Sequence, residues 1–274
     1  MSCVLALGGG AGLGWAHIGV LRAFEDAELD IVGIAGTSIG AIAGACAAAG
    51  KLDALEELAR SANIRKILRY IDPQFRRGAL IGGRTIEREL QLHLGHLDFN
   101  DLPFPVAAIA ADLLTGDTVV LDQGPVVPAI RASMSLPGIF NPVRRGERLL
   151  VDGGAAMPVP VSAARALAPG RPCIAVSLQS DYVNRARANG VSGDGPPPST
   201  VAVVKASVGL SLANLARYSL ALDPPDILLS LPVGHIEIQN FTRAEELIAI
   251  GRTQTMAALP DIRAKLAKAD AGTA

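Results

Sequence analysis

The apolar positions of this chain fall into short solid runs that stop at glycine-rich turns, alternating with longer stretches in which apolar residues recur at helical spacing. Residues 3–7 form the first run, halted by Gly8, Gly9 and Gly10, and residues 15–27 then show the spacing of a helix. A second run, 31–35, ends in the turn Gly36 to Gly40 and leads into an alanine-rich helix reaching about residue 49. Short runs buried on both faces, each followed by a helix, predict an α/β fold: a mostly parallel central sheet with helices on both faces, in three layers.

The alternation persists almost to the C-terminus. Residues 51–68 read as an amphipathic helix and 85–94 as another, joined by a connector at 76–84 that carries Gly and Arg. Strands are predicted at 105–110, 118–121, 148–151, 172–178 and 226–231, with helices at 200–222 and 243–257. Residues 184–199 are rich in Gly and Pro without apolar periodicity and read as a mobile surface loop. No repeat is apparent, and residues 1–274 are expected to form one domain. The helix at 200–222 either covers the sheet or, with the loop before it, borders an apolar entrance.

Composition narrows the classes. Half of the residues are hydrophobic and 19% are charged, which suits a folded chain with a large core. Twenty-five basic residues against 26 acidic ones leave a net charge of −1, so no global basic field draws the protein to nucleic acid. Residues 31–50 contain no charge and are long enough to cross a bilayer, but Gly33, Gly36, Thr37, Ser38 and Gly40 make the first half a strand and turn rather than a lipid-facing helix; no transmembrane segment is expected. No Lys or Arg precedes Arg22, unlike the charged start of a secretory leader. Cys3, Cys46 and Cys173 lie far apart in apolar surroundings and read as reduced core residues, which fits a cytoplasmic location.

Two segments carry candidate chemistry. Gly36-Thr37-Ser38-Ile39-Gly40 fits G-x-S-x-G between a strand and a helix, where a sharp turn exposes the serine as a nucleophile; the alternative is a structural turn with a buried serine. The loop from Gly8 to Gly14 precedes the first helix and offers unpaired backbone N–H groups to a phosphate or an oxyanion. A dinucleotide fingerprint is not completed there, because Leu13 or His17 stands where a third glycine is required. A right-handed strand–helix–strand unit places both loops at the carboxyl ends of neighbouring parallel strands, so Ser38 and the amides of Gly9, Gly10, Ala11 and Gly12 converge on one crevice. A base is also needed. None of His17, His93, His96 and His235 stands at a strand end, whereas Asp152 follows the strand 148–151 and precedes two glycines. That spacing suits a directly paired serine and aspartate, and equally a turn aspartate.

These segments resemble patatin-like phospholipases, especially small bacterial single-domain members related to neuropathy-target-esterase catalytic domains. LALGGG with AHIGVLRAFEDAEL, GTSIGA, RASMSLPGIFNPV and VDGGAAMPVPV match successive family blocks over most of the chain. The resemblance implies a lipid esterase of phospholipase A type: Ser38 as nucleophile, Asp152 as base, and an oxyanion hole in the loop Gly9, Gly10, Ala11 and Gly12. It implies no metal and no cofactor, a lipid or other acyl ester as substrate, and transient contact with a membrane surface. Two positions depart from the pattern: Ala11 stands where the family usually has glycine, and Leu13 where it has Arg or Lys. They motivate a second reading, a catalytically weakened lipid-binding or regulatory protein. A third, a nucleotide-binding module with Asp30 on a ribose, is opposed by the incomplete fingerprint and by the elbow.

Overall fold

The computed structural model describes residues 1–63, 79–81, 83–193 and 195–272. In chain order its first half comprises β1 (Ser2–Leu7), α1 (Ala16–Asp26), β2 (Asp30–Thr37), α2 (Ile39–Ala48), α3 (Leu52–Arg60), β3 (Ala79–Ile81), α4 (Arg84–Leu94), β4 (Val106–Asp112) and β5 (Thr118–Leu121). There follow α5 (Val126–Ser133), β6 (Gly138–Phe140), β7 (Val143–Arg145), β8 (Arg148–Asp152), α6 (Val161–Leu167), β9 (Cys173–Ser177), α7 (Tyr182–Ala188), α8 (Thr200–Leu222), β10 (Ile227–Ser230) and α9 (Ala244–Gly272).

Strand β1 is buried at every position, and its alternation sorts the interior into two layers. Cys3, Leu5 and Leu7 join a core with α1, α2, α3, α5 and α9 on one face, while Val4 and Ala6 join a smaller core with α6 and Ala216 of α8 on the other. The second layer is lined largely by small strand residues, Ala6, Ala35, Ala107 and Ala175 among them, so the helices there lie close to the sheet. The result is the three-layer α/β arrangement that the hydrophobic pattern predicts.

Strands β10, β9, β1, β2 and β4 run parallel in that spatial order. β5, β7 and β8 are antiparallel to their neighbours. β5 pairs with β4 from Ala108 to Ala111, while β2 pairs with β4 up to Ile109 and β8 from Ala110 onward. A strand has only two edges, so β2 and β8 occupy the same edge of β4, one running up and the other down, and their carboxyl ends meet. This junction positions the candidate site.

The uncharged stretch 31–50 divides into β2 and α2, as its glycines suggest, and among the described residues no helix is long and apolar enough to cross a membrane. Two expectations need correction. Residues 184–188, assigned to the mobile loop 184–199, complete α7, because Arg185 is buried and donates to Gln179 Oε1 and the Leu178 carbonyl. The last helix continues past residue 257 and through Pro260, since Leu259, Ile262 and Leu266 extend its buried stripe. Their burial outweighs an interior proline, which typically disfavours a helix by about 3 kcal/mol. Helices α5 and α6, of eight and seven residues, are too short to show a clear period, and each begins directly after a proline. The predicted helix 51–68 is α3 as far as Arg60; its residues 64–68 and most of the connector 76–84 lie outside the described residues.

Candidate active site

Ser38 follows β2 directly, with φ 57° and ψ −120°, a conformation that non-glycine residues rarely adopt, and α2 begins at the next residue. Backbone crowding explains both glycines of the motif. A Cβ on Gly36 would lie 2.4 Å from backbone atoms of Gly40 and Ala41, and one on Gly40 would lie 2.2 Å from the Leu7 carbonyl oxygen. The turn is held from outside as well. The Ser38 N–H donates to Ser133 Oγ at 2.9 Å, the Ser133 hydroxyl donates to the Ile109 carbonyl at 2.5 Å, and the Thr37 hydroxyl donates to the Met157 carbonyl at 2.8 Å. Strain at Ser38 persists because its surroundings determine it several times over.

Asp152 reaches the same point by the end-to-end meeting of β2 and β8. Thr37 is opposite Ile109 and Asp152 is opposite Ala110, so nucleophile and carboxylate are brought together at adjacent levels of one edge of β4. Gly153 is forced by the same approach, since a Cβ there would lie 2.3 Å from the Ile109 carbonyl. The Asp152 carboxyl is buried, and this desolvation raises its pKa to about 6, against the opposing pull of the Ser38 hydroxyl and of the Gly154 N–H, which donates to Oδ1 at 2.8 Å. A carboxylate that takes up a proton near pH 6 beside a hydroxyl is suited to general-base work at neutral pH.

The glycine-rich loop after β1 lies alongside. A Cβ on Gly9 would come within 3.5 Å of Ser38 Cβ, which sets the loop against the nucleophile as the crossover geometry predicts. Two of its four amides are already committed: Gly9 N–H donates to the Pro158 carbonyl and Gly12 N–H to the Ile238 carbonyl, each at 2.9 Å. The amides of Gly10 and Ala11 have no such acceptor among the described residues. Ala11 has φ 44°, in the left-handed region that favours glycine, so the departure from glycine is a strained alanine rather than an altered path. Leu13 is fully buried in the larger core, so the second departure is a packing residue.

The remaining titratable candidates face elsewhere. His17 Nε2 lies 2.7 Å from the Gly8 carbonyl, which can only accept, so Nε2 carries the proton and the buried Nδ1 has no partner among the described residues. Burial lowers its pKa to about 4 and keeps it neutral. His93 stands beside Glu89, and His235 shares a 2.9 Å hydrogen bond with Glu246.

The chain's pattern does not mark the residues that hold this arrangement. Ser133 lies in a block that resembles the family, yet nothing in its spacing signals a bond to the elbow. Gln179 and Arg185 form a buried relay: Arg185 grips Gln179 Oε1, and Gln179 Nε2–H donates to the Gly9 carbonyl at 3.0 Å. Only the rarity of a buried arginine would have drawn attention to it.

Comparison with known proteins places this geometry among relatives. The family model described as patatin-like phospholipase matches residues 5–165. An uncharacterized NTE family protein of Mycobacterium bovis is 31% identical over 93% of this chain and 90% of its own length. Neuropathy target esterase sws of Drosophila persimilis is 30% identical over 55% of this chain and 11% of its own. Among solved structures, VipD from Legionella pneumophila shares the fold with a TM-score of 0.54 and 13% identity, covering 94% of this chain and 66% of VipD. The matched segment spans the end of β1, the glycine loop, the elbow, β8 and the Asp152 turn, and with a near full-length relative above 30% identity it settles descent: the chain belongs to the patatin-like phospholipase family, whose members are lipid hydrolases.

Proposed function

We propose that this protein is a serine acyl hydrolase acting on carboxylic esters of lipids through a Ser38–Asp152 dyad. The observation that carries the reading is the strained, externally fixed Ser38 set against a buried carboxyl whose pKa is near 6. Ser38 Oγ attacks the acyl carbonyl carbon as Asp152 takes the hydroxyl proton, forming a tetrahedral oxyanion. Collapse breaks the ester bond, and Asp152 returns the proton to the departing alcohol. Water then attacks the acyl-serine carbonyl with Asp152 again as base, releasing the carboxylic acid and restoring Ser38. The amides of Gly10 and Ala11 hold the oxyanion, because those of Gly9 and Gly12 are engaged in fixing the loop. Substrate in a lipid aggregate requires contact with a membrane surface.

Ser38→Ala tests the assignment. It removes one hydroxyl that the turn does not need, since the turn is held through the Ser38 N–H and the Thr37 hydroxyl, so the fold stays intact and turnover of a short p-nitrophenyl ester falls about 10³-fold or more. Retained turnover in a pure preparation rejects the nucleophile, and absence of turnover in the wild type favours a lipid-binding protein with weakened catalysis.

A further inference from the structure

Helix α8 is built inside out. Its buried residues are Ala206, Gly209 and Ala216, all small, while Val201, Val204 and Val208 are 66%, 58% and 56% exposed, and Val203, Leu210 and Leu222 are exposed with them. Its two halves do different work. Ala216 packs on the sheet, whereas the N-terminal half rests on α7, where Tyr182 donates to the Ala206 carbonyl and Gly209 faces Arg185. With 23 residues α8 is about 34 Å long, twice the roughly 17 Å of a five-residue strand such as β9, so it overhangs the sheet. The overhang is at the carboxyl edge, because α7 follows the carboxyl end of β9, and that edge also carries Ser38.

A second exposed apolar point stands on the same edge. β4 runs toward it and ends at Asp112, and Leu113 and Leu114 in the turn beyond are exposed. The β7–β8 turn projects there too, since Leu149 and Arg148 lie beyond the Leu150–Asp112 pair. Both points are cationic. Arg144 and Arg148 flank Glu147 on the hairpin, while Arg145 turns back to donate to the Gln123 carbonyl; Arg187 and Lys205 accompany the valines, and Arg144, Arg148, Arg187 and Lys205 pair with no carboxylate among the described residues. By contrast Arg22, Arg165, Arg243 and Arg252, on other parts of the surface, each form ion pairs. No acidic residue occurs within α8.

We propose that the carboxyl edge of the sheet is the face by which this protein adsorbs to an anionic phospholipid surface, through the N-terminal half of α8 and the β7–β8 turn with Leu113 and Leu114. Large apolar residues beside unpaired cations, on a helix that does not cross a bilayer, are what an interfacial contact requires. A second copy of the chain fits less well, because a two-fold contact would set Arg187 and Lys205 against their own counterparts. The inference rests on the proposed lipid substrate, and it orients Ser38 toward the aggregate that holds that substrate.

The experiment uses the full chain carrying Ser38→Ala, so that binding is read without lipid consumption. It is co-sedimented with phosphatidylcholine–phosphatidylglycerol vesicles and with vesicles of phosphatidylcholine alone. Binding is expected to favour the anionic vesicles and to weaken with salt. Val204→Asp with Val208→Asp, or Arg144→Glu with Arg148→Glu, is expected to lower partition about tenfold or more. In the Ser38 background the same pairs leave turnover of a soluble short ester unchanged, which shows that they fold. Equal partition of all variants, or none by the parent, overturns the proposal. So does a dimer on gel filtration that the aspartates dissociate, which would make α8 a contact between copies. Failure of the hydrolase reading is separate: it shows as ester turnover retained by Ser38→Ala, whatever the vesicles do.

Discussion

The elbow and the α8 flank use small residues for opposite ends. At the elbow, Gly36, Gly40 and Gly153 stand where backbone meets backbone, and Ser38 is fixed by a side chain from another element. In α8, small residues draw the helix inward and leave its large apolar side chains facing out. The two regions therefore tolerate change to different degrees. The elbow is determined several times over, so a single atom there alters both chemistry and stability, whereas the flank contributes little to the fold and is free to meet something outside it.

The sharpest way to break the contrast is Asp152→Asn, which removes the base and should cut kcat about 10³-fold or more, with steady-state assays of a soluble ester as the check. In the wild type kcat/KM should fall as pH drops through about 6, because the base is lost to protonation. The stability effect has the opposite sign. A carboxyl whose pKa is raised from 3.8 to about 6 binds its proton more tightly in the fold, so its contribution is present at low pH and lost as pH rises through about 6. Asparagine avoids the buried charge, so the variant should be more stable than wild type at pH 8, by up to about 3 kcal/mol, with the gain fading toward pH 4. Thermal unfolding at the two pH values decides this, and a variant less stable at pH 8 would contradict the burial argument.

Gly40→Ala comes next, since its methyl carbon would meet the Leu7 carbonyl at 2.2 Å. Overpacking of this kind typically destabilises by about 1–3 kcal/mol, readable as a lowered denaturant midpoint.

Ser133→Ala leaves the Ser38 N–H and the Ile109 carbonyl without their shared partner, which should lower kcat roughly ten- to a hundredfold while leaving KM for a short ester nearly unchanged. An equal rise in KM would mean that Ser133 serves binding rather than the position of the nucleophile.

The smallest effect belongs to the flank. Val208→Ser should change unfolding free energy by no more than about 0.5 kcal/mol, because the side chain is mostly exposed. A larger loss would show that α8 is held by its outer face.

Much of this was legible in the chain itself. Unbroken apolar runs beside glycine turns mark β1, β2 and β9 because strands buried on both faces have no polar positions, and G-x-S-x-G marks the elbow because only glycine fits where Cβ atoms would overlap backbone. The short helices α5 and α6 offered too few turns for a period to register, and α7 was masked by the Gly- and Pro-rich residues that follow it. Asp152 was equally a base and a turn residue in the sequence, because a carboxylate's role depends on what lies across the sheet from it.

By itself, then, the order of residues determined the alternation of strands and helices, the strained turn at Ser38 and the proximity of the glycine loop, all of which follow from local sterics and the handedness of one crossover. The tertiary structure alone decided that β8 runs antiparallel and meets β2 end to end, that Ser133 rather than a near neighbour holds the Ser38 amide, that two of four loop amides are engaged, and that α8 turns its valines outward. Those outcomes depend on contacts between residues tens to more than a hundred positions apart, where burial, dielectric and hydrogen-bond partners are set by packing and leave no trace in local pattern.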